Sequence, residues 1–230
     1  MISDQFTYLF LNIITLAGPL VLSFDKKVAF YKEWKSFGLS MLFASTLYLL
    51  WDIWFTKINV WAFNPKFVVG TWFAHLPLEE YLFFIIIPYA CLFIYACLKA
   101  YLPQFSLKKG LMPLLLFLII MAITAIIKDP SHLYTTITAG LLCITLTLAI
   151  ITKNTQNLSH ILLAWVVALI PMAYVNGILT GKPVLIYNDA HNLGIRIGTI
   201  PIEDFFYNLV YMLWMILIYE HIKRKASSVN

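Results

Sequence analysis

Seven apolar runs alternate with short polar connections along the chain, at residues 6–24, 37–55, 77–98, 111–127, 132–151, 160–178 and 201–221. A helix needs about 20 apolar residues to cross about 30 Å of hydrocarbon, so the pattern predicts seven transmembrane helices. The fold class expected is therefore all-α and polytopic. Residues 102–110 interrupt the apolar pattern with Pro103, Lys108, Lys109 and Gly110, which marks a boundary between two units.

The polar positions repeat. The window from Phe63 to Phe84 returns from Tyr187 onward without a gap, at the spacing of Glu79 to Glu203, which is 124 residues. Asn64/Asn188, Gly70/Gly194, Pro77/Pro201 and Glu79/Glu203 are identical, and Glu80/Asp204, Tyr81/Phe205 and Phe63/Tyr187 are conservative pairs. A fixed offset carrying the same polar types points to duplication rather than shared apolar composition. The same shift lays the first three runs on the fifth, sixth and seventh and leaves the fourth without a counterpart. The expected organisation is 3+1+3: a three-helix repeat at 1–102, a linker with the unpaired fourth helix at 103–129, and a second three-helix repeat at 130–230. With one helix between them, both repeats enter the membrane in the same direction, related by a pseudo-two-fold axis along its normal.

Composition agrees with the pattern, since 61% of residues are hydrophobic and only 12% charged, against about 25% charged in soluble domains. The net charge of +5 is a topology signal and implies no nucleic-acid partner, because the basic residues sit in short loops. Lys26, Lys27, Lys32, Lys35, Lys99, Lys108, Lys109, Lys153, Lys223, Arg224 and Lys225 fall on one side, against Lys57, Lys66, Lys128, Lys182 and Arg196 on the other. That excess places the carboxyl terminus in the cytoplasm and the amino terminus outside, in a multi-pass cell-membrane protein. Both acidic motifs then lie on the outer side. Met1-Ile-Ser-Asp4 lacks the basic start of a secretory signal, so the first apolar run is expected to be retained. The basic tail from Lys223 is expected to be disordered. Cys91, Cys97 and Cys143 lie inside apolar runs without metal or redox spacing and read as packing residues.

Candidate chemistry lies in the repeated motif. Pro77 and Pro201 suit a helix start, which puts Glu79 and Glu203 in the first turns of the third and seventh helices. A helix dipole favours a carboxylate there, whereas an apolar surrounding and the adjacent Glu80 or Asp204 favour a retained proton. Such a pair presents a neutral acid to a hydrocarbon, or else simply caps two helices. Asp52 lies near the end of the second helix, with Asn176 at the corresponding place in the sixth, and polar groups inside an apolar helix usually face a partner or a cavity. Asn64 and Asn188 are expected to support the acids through hydrogen bonds, or to serve as plain loop asparagines. Arg196, at the position of Trp72, is placed to pair with Glu203 or Asp204. His75 reads as an interfacial structural residue, and His132, His160, His191 and His221 have no ligand spacing, so no metal site is expected.

Aromatic residues crowd both motifs. Trp72, Tyr81, Phe83, Phe205 and Tyr207 are candidates to stabilise a cation through their π faces, alongside Trp61, Phe63, Tyr187 and Tyr211. An interfacial aromatic belt accounts for part of this enrichment. Protonation of an alkene followed by carbocation rearrangement is the chemistry that a neutral carboxyl beside such rings supports. A small proton-coupled transporter is the alternative, because parallel repeats with acids near their axis also build carriers.

Pro-Leu-Glu79-Glu80-Tyr-Leu-Phe-Phe and Pro-Ile-Glu203-Asp204-Phe-Phe-Tyr, each preceded by Phe/Tyr-Asn and a glycine, resemble the signature of the membrane-integral lycopene cyclase family. The resemblance covers nearly the whole chain, which looks like the fused form of two three-helix subunits. It implies a redox-neutral isomerisation closing the linear ends of lycopene into β-rings, giving γ- and β-carotene, with no cofactor expected. Glu79, Glu80, Glu203 and Asp204 are the implied acid-motif residues. Glu79 or Glu203 is the expected proton donor, Glu80 or Asp204 tunes it or takes the proton back, and Asn64 and Asn188 orient them. Lycopene or a related linear carotenoid, the bilayer and neighbouring carotenoid-biosynthesis enzymes are the implied partners. Asp204 and Arg196 break the symmetry, so one half is a candidate catalytic half and the other a structural one.

Overall fold

The computed structural model describes residues 3–152, 155 and 157–227. Among the described residues, seven helices are long and apolar enough to span a membrane. They are α1 (Thr7–Leu22), α2 (Trp34–Lys57), α3 (Leu78–Tyr101), α4 (Leu111–Lys128), α5 (Leu133–Ile151), α6 (Leu158–Gly181) and α7 (Ile202–Ser227). Each falls on one of the predicted runs. Helices α2, α3, α6 and α7 outrun theirs by a few residues, since backbone hydrogen bonding does not stop where the hydrocarbon does. The tail is a correction: α7 continues through Lys223 to Ser227. There Lys223 Nζ donates to Glu33 Oε1 at 2.7 Å, which ties the end of α7 to the start of α2.

Helices α3 and α7 lie innermost, with about half of each span buried. Helix α3 packs on α1 and α6, α7 packs on α5 and α2, and α3 touches α7 at the centre, while α4 lies outside against α5. Lipid tails are as apolar as leucine, so burial of apolar surface holds such helices together only weakly. Close packing and interhelical hydrogen bonds, worth roughly 0.6–2 kcal/mol each, carry the specificity. Several such bonds are in place: Asn12 Nδ2 to Glu79 O at 2.8 Å joins α1 to α3, and Trp214 Nε1 to Thr145 Oγ1 at 2.8 Å joins α7 to α5. Trp165 Nε1 to Phe205 O at 3.0 Å joins α6 to α7, and Tyr95 Oη to Glu220 Oε1 at 2.8 Å joins α3 to α7.

Six strands of two or three residues lie in the loops before α3 and α7, too short to leave an alternating pattern in the sequence. The first loop holds β1 (Trp61–Phe63) and the hairpin β2 (Trp72–Phe73)–β3 (Leu76–Pro77), and the second holds β4 (Leu185–Tyr187) and the hairpin β5 (Arg196–Ile197)–β6 (Ile200–Pro201). Strands β1 and β4 pair with each other, antiparallel, in the register Trp61–Tyr187, Ala62–Ile186, Phe63–Leu185. Beyond the ladder, Asn64 N donates to Val184 O and Asn188 N donates to Val60 O, both at 2.9 Å. Every one of these contacts maps onto another when 124 is added to or subtracted from its residue numbers. The two loops are thus joined by a self-complementary contact, as a local two-fold axis through the Ala62–Ile186 pair requires.

Candidate active site

Both motif loops are built by the same bonds. Asn64 and Asn188 accept from the N–H two residues on, Lys66 at 3.0 Å and Ala190 at 3.1 Å, which starts a single 3-10 turn in each loop. The chain then passes through Gly70 at φ +96° and Gly194 at φ +68°, where a side chain would strain the backbone. Glu79 Oε1 accepts from Val69 N at 2.6 Å, and Glu203 Oε1 accepts from Leu193 N at 2.8 Å. Leu78 N to Thr71 O at 2.8 Å and Ile202 N to Ile195 O at 2.9 Å complete the matched set. Each helix therefore begins with a glutamate that holds its own loop closed over the bundle.

This geometry redistributes the predicted roles. Glu79 and Glu203 sit in the first turns as expected, but each is engaged by its loop, and Glu203 also accepts from Thr135 Oγ1 at 2.6 Å. Neither borders the cavity that opens beside the motifs. Glu80, Asp204 and Asp52 do border it, in a space of about 100 Å³ enclosed by α1, α2, α3, α5, α6, α7, β1 and β4. All three carboxyls are buried. Below them the cavity is lined mainly by apolar side chains of α3 and α6.

The two motif carboxyls that face this space are dressed differently. Glu80 accepts a short hydrogen bond from the phenol of Tyr8. Asp204 accepts three donors: Tyr134 Oη at 2.8 Å, Tyr187 Oη at 2.9 Å from each oxygen, and Asn176 Nδ2 at 3.1 Å. The difference follows from substitutions at matching positions. Phe63 stands where the second half has Tyr187 and brings no hydroxyl. Asp52 stands where it has Asn176 and brings a carboxyl in place of an amide, its own Oδ1 accepting from Trp61 Nε1 at 2.6 Å. Hydrogen bonds to a carboxylate favour its ionised form, and their scarcity in an apolar cavity favours the neutral acid.

Rings surround the Asp204 side. Tyr134 and Tyr187 stack with centroids 6.0 Å apart. Trp61 meets Tyr134 edge-on at 5.2 Å and Tyr187 at 6.0 Å, and Tyr207 lies 6.1 Å from Tyr134. Burial, with the Asp204 carboxylate beside it, holds the Tyr187 phenol well above its usual range, so it remains a donor. Of the predicted cation-stabilising rings, Phe83 and Tyr207 border the cavity, while Trp72, Tyr81 and Phe205 do not. Trp72 lies on the exposed strand β2, Tyr81 donates to Phe73 O at 2.9 Å, and Phe205 is buried.

Other expectations are corrected by the bonds observed. Asn64 and Asn188 do not touch the acids: their side chains shape the 3-10 turns, and Asn188 Nδ2 reaches Asn59 O at 3.1 Å. Asn176 and Asp52 do stand at the cavity. Arg196 pairs with Asp189 and with Thr199 O, not with Glu203 or Asp204. His75 is in the β2–β3 turn at φ +74°, exposed and outside the cavity. Tyr8 and Tyr134 were missed because they stand 126 residues apart, so an offset of 124 pairs Tyr8 with His132. Asn208 was missed too. It borders the cavity with a buried Oδ1 that has no partner among the described residues.

A family model described as lycopene cyclase matches residues 5–98 and 131–222, one segment on each side of α4. No curated protein and no solved structure matches the chain.

Proposed function

The chain belongs to the lycopene cyclase family, and from that premise we propose that it is an isomerase closing the linear ends of lycopene into β-rings. The observation that carries the mechanism is the unequal hydrogen bonding of Glu80 and Asp204 across one apolar cavity. Glu80, with a single phenol donor, is the acid and protonates carbon 2 of the terminal double bond. The cation left at carbon 1 is attacked by the 5,6 double bond, which forms the bond from carbon 1 to carbon 6 and moves the charge to carbon 5. Asp204, kept ionised by Tyr134, Tyr187 and Asn176, removes the proton from carbon 6, and the released electron pair restores a 5,6 double bond. One proton enters and one leaves, so the product is an isomer. Both carboxyls border one cavity, and return of the proton from Asp204 to Glu80 resets the site.

The rings of Trp61, Tyr134, Tyr187 and Tyr207 border the cavity that holds the two carboxyls, and a cation over a desolvated ring face is favoured by up to about 2 kcal/mol. Their position beside the base suits the later cation, at carbon 5. Glu79 and Glu203 act at one remove, by fixing the loops that carry β1 and β4.

The 3+1+3 organisation belongs to this proposal. The matched loop bonds and the two-segment family match support repeats at 1–102 and 130–230 joined by 103–129. The basic residues favour an outer motif side, an external amino terminus and a cytoplasmic carboxyl terminus in the cell membrane. Lys153, one of those counted, lies outside the described residues.

The test is expression in a bacterium that accumulates lycopene, with the pigments resolved by chromatography. The wild-type chain is expected to yield γ- or β-carotene and Glu80→Gln to leave lycopene unchanged. Persistence of lycopene with wild-type protein present in the membrane overturns the reading.

A further inference from the structure

The acid chamber continues into an apolar slot whose two-fold counterpart is filled. From Glu80 the cavity follows one face of α3 through Phe84, Ile87, Ala90 and Cys91 to Ile94. The 14 helical steps from Glu80 to Ile94 span about 20 Å. The opposite wall is α6, with Ala168, Pro171, Met172 and Val175. The far end is not sealed: Thr15, Ile94 and Met172 are half-buried and Pro171 is exposed, so the slot meets the surface that faces lipid.

The pairing of α3 with α6 is matched by that of α7 with α2, and adding or subtracting 124 gives the corresponding positions. Ile87 becomes Tyr211, Ala90 becomes Trp214, Met172 becomes Tyr48 and Val175 becomes Trp51. Four small or flexible side chains are thus replaced by four large rings, and the rings pack on one another. Tyr48 stacks on Tyr211 at 4.2 Å and meets Trp214 at 5.8 Å and Trp51 at 5.3 Å. Tyr48 and Tyr211 are fully or almost fully buried, and Ser45 Oγ bonds both the Tyr211 hydroxyl and Phe84 O. Rings that touch one another thus stand at the positions which line the slot on the other side.

We propose that the slot between α3 and α6 takes the extended polyene arm of the substrate from the bilayer, and that the chain has this single chamber and handles one end of the molecule per binding event. This rests on the cyclase reading for the identity of the ligand. A long, narrow, apolar slot that ends at a neutral acid fits a linear hydrocarbon entering end first. Two rings on one carotenoid then require it to leave and return the other way round.

Plugging the slot is the test, in the full chain expressed with lycopene. Ala90→Trp copies the ring of the filled side, and Ile94→Trp obstructs the mouth with less demand on the core. Ile85→Trp, on an exposed face of the same helix outside the slot, is the control. Both slot variants are expected to lower conversion roughly tenfold or more with thermal unfolding near that of wild type, since the added ring occupies the open slot instead of overpacking the core, while the control stays near wild type. Full activity of Ile94→Trp in an active background overturns the slot. Quenching of tryptophan fluorescence by lycopene, measured on the purified full chain, separates the two readings. An inert wild type with saturable quenching that Ile94→Trp abolishes removes the cyclase reading and keeps the slot, and quenching unaffected by both variants removes the slot. Added unlabelled γ-carotene should dilute label passing from lycopene to β-carotene, or labelled γ-carotene should simply accumulate. Undiluted label in β-carotene overturns the single chamber.

Discussion

The phenol of Tyr187 lies 2.9 Å from both oxygens of Asp204, reaching from strand β4 across the start of α7. Its counterpart in the first half is Phe63, so this contact exists on one side only. Tyr187→Phe removes one of three donors from the carboxylate without changing the shape of the ring. Cyclisation should fall by about one order of magnitude, the loss expected for a hydrogen bond to a charged group worth about 1.5–3 kcal/mol, partly offset by the remaining two donors. The rate of β-ring formation from lycopene at saturation checks it.

The pH response of the same tyrosine can be worked out separately. Burial and Asp204 hold its phenol well above the usual range, so it stays protonated as pH rises through its unfolded value near 10. The folded value is the higher one, so the stability this group contributes is fully present below the unfolded value and is lost progressively as pH rises from there through the folded value. Below the unfolded value both states hold the proton and the hydrogen bond is fully present; above the folded value the phenolate faces the carboxylate and the bond is lost. Phenolate absorbance near pH 10 should therefore be lower in the folded chain than in the denatured one, and Tyr187→Phe should remove one tyrosine from the denatured signal while leaving the folded signal near pH 10 unchanged.

Glu79 and Glu80 are adjacent and should fail differently. Glu80→Gln keeps a buried polar group but has no acidic proton, and loss of a general acid removes a factor of about 10²–10⁴. Glu79→Gln keeps an oxygen able to accept from Val69 N and should retain most of the activity. Glu79→Ala leaves that N–H without its acceptor and should cost about 1–3 kcal/mol of stability. Pigment chromatography together with thermal unfolding separates the two effects.

Much of this was legible in the chain. The seven runs gave the helices because each is nearly uninterrupted, and the repeat gave the motif because its polar residues share one offset. The division of labour within each acidic pair was not legible, since neighbours on a helix diverge by about 100° and nothing in Glu79-Glu80 says which one meets the loop. The β1–β4 contact that brings Tyr187 to the cavity joins segments too short to leave an alternating pattern. Tyr8 and Tyr134 were hidden by a two-residue change in spacing. The asymmetry itself was written in plain view, as Phe63 against Tyr187 and Asp52 against Asn176, but it acquires meaning only once those side chains are seen around Glu80 and Asp204.

Gly70 and Gly194 test whether the loops matter through their shape. Each takes a positive φ with no atom outside its own chain neighbours within 4 Å of where a Cβ would stand, so the penalty of an alanine is conformational rather than tertiary crowding. Gly194→Ala should cost about 1–2 kcal/mol, and Gly70→Ala a similar amount. The strain falls beside Val69 and Leu193, the residues that anchor Glu79 and Glu203. A lowered unfolding temperature with the product pattern unchanged is the expected result.

Two substitutions would give the first half the electrostatics of the second. Asp52→Asn gives the first half the amide found at Asn176, and Phe63→Tyr gives it the hydroxyl of Tyr187. Either change offers Glu80 a further donor in the place where Asp204 already has one. Donors to a carboxylate favour its ionised form, so the acid is less often protonated at neutral pH. Activity should fall with each substitution and further with both, and the pH at which half the activity is reached should move down. The new amide still has an oxygen to accept from Trp61, so the fold should hold. The pH–rate profile of the double variant in membranes decides the matter. A profile unmoved from wild type would mean that neither Glu80 nor Asp52 is the group whose proton is transferred.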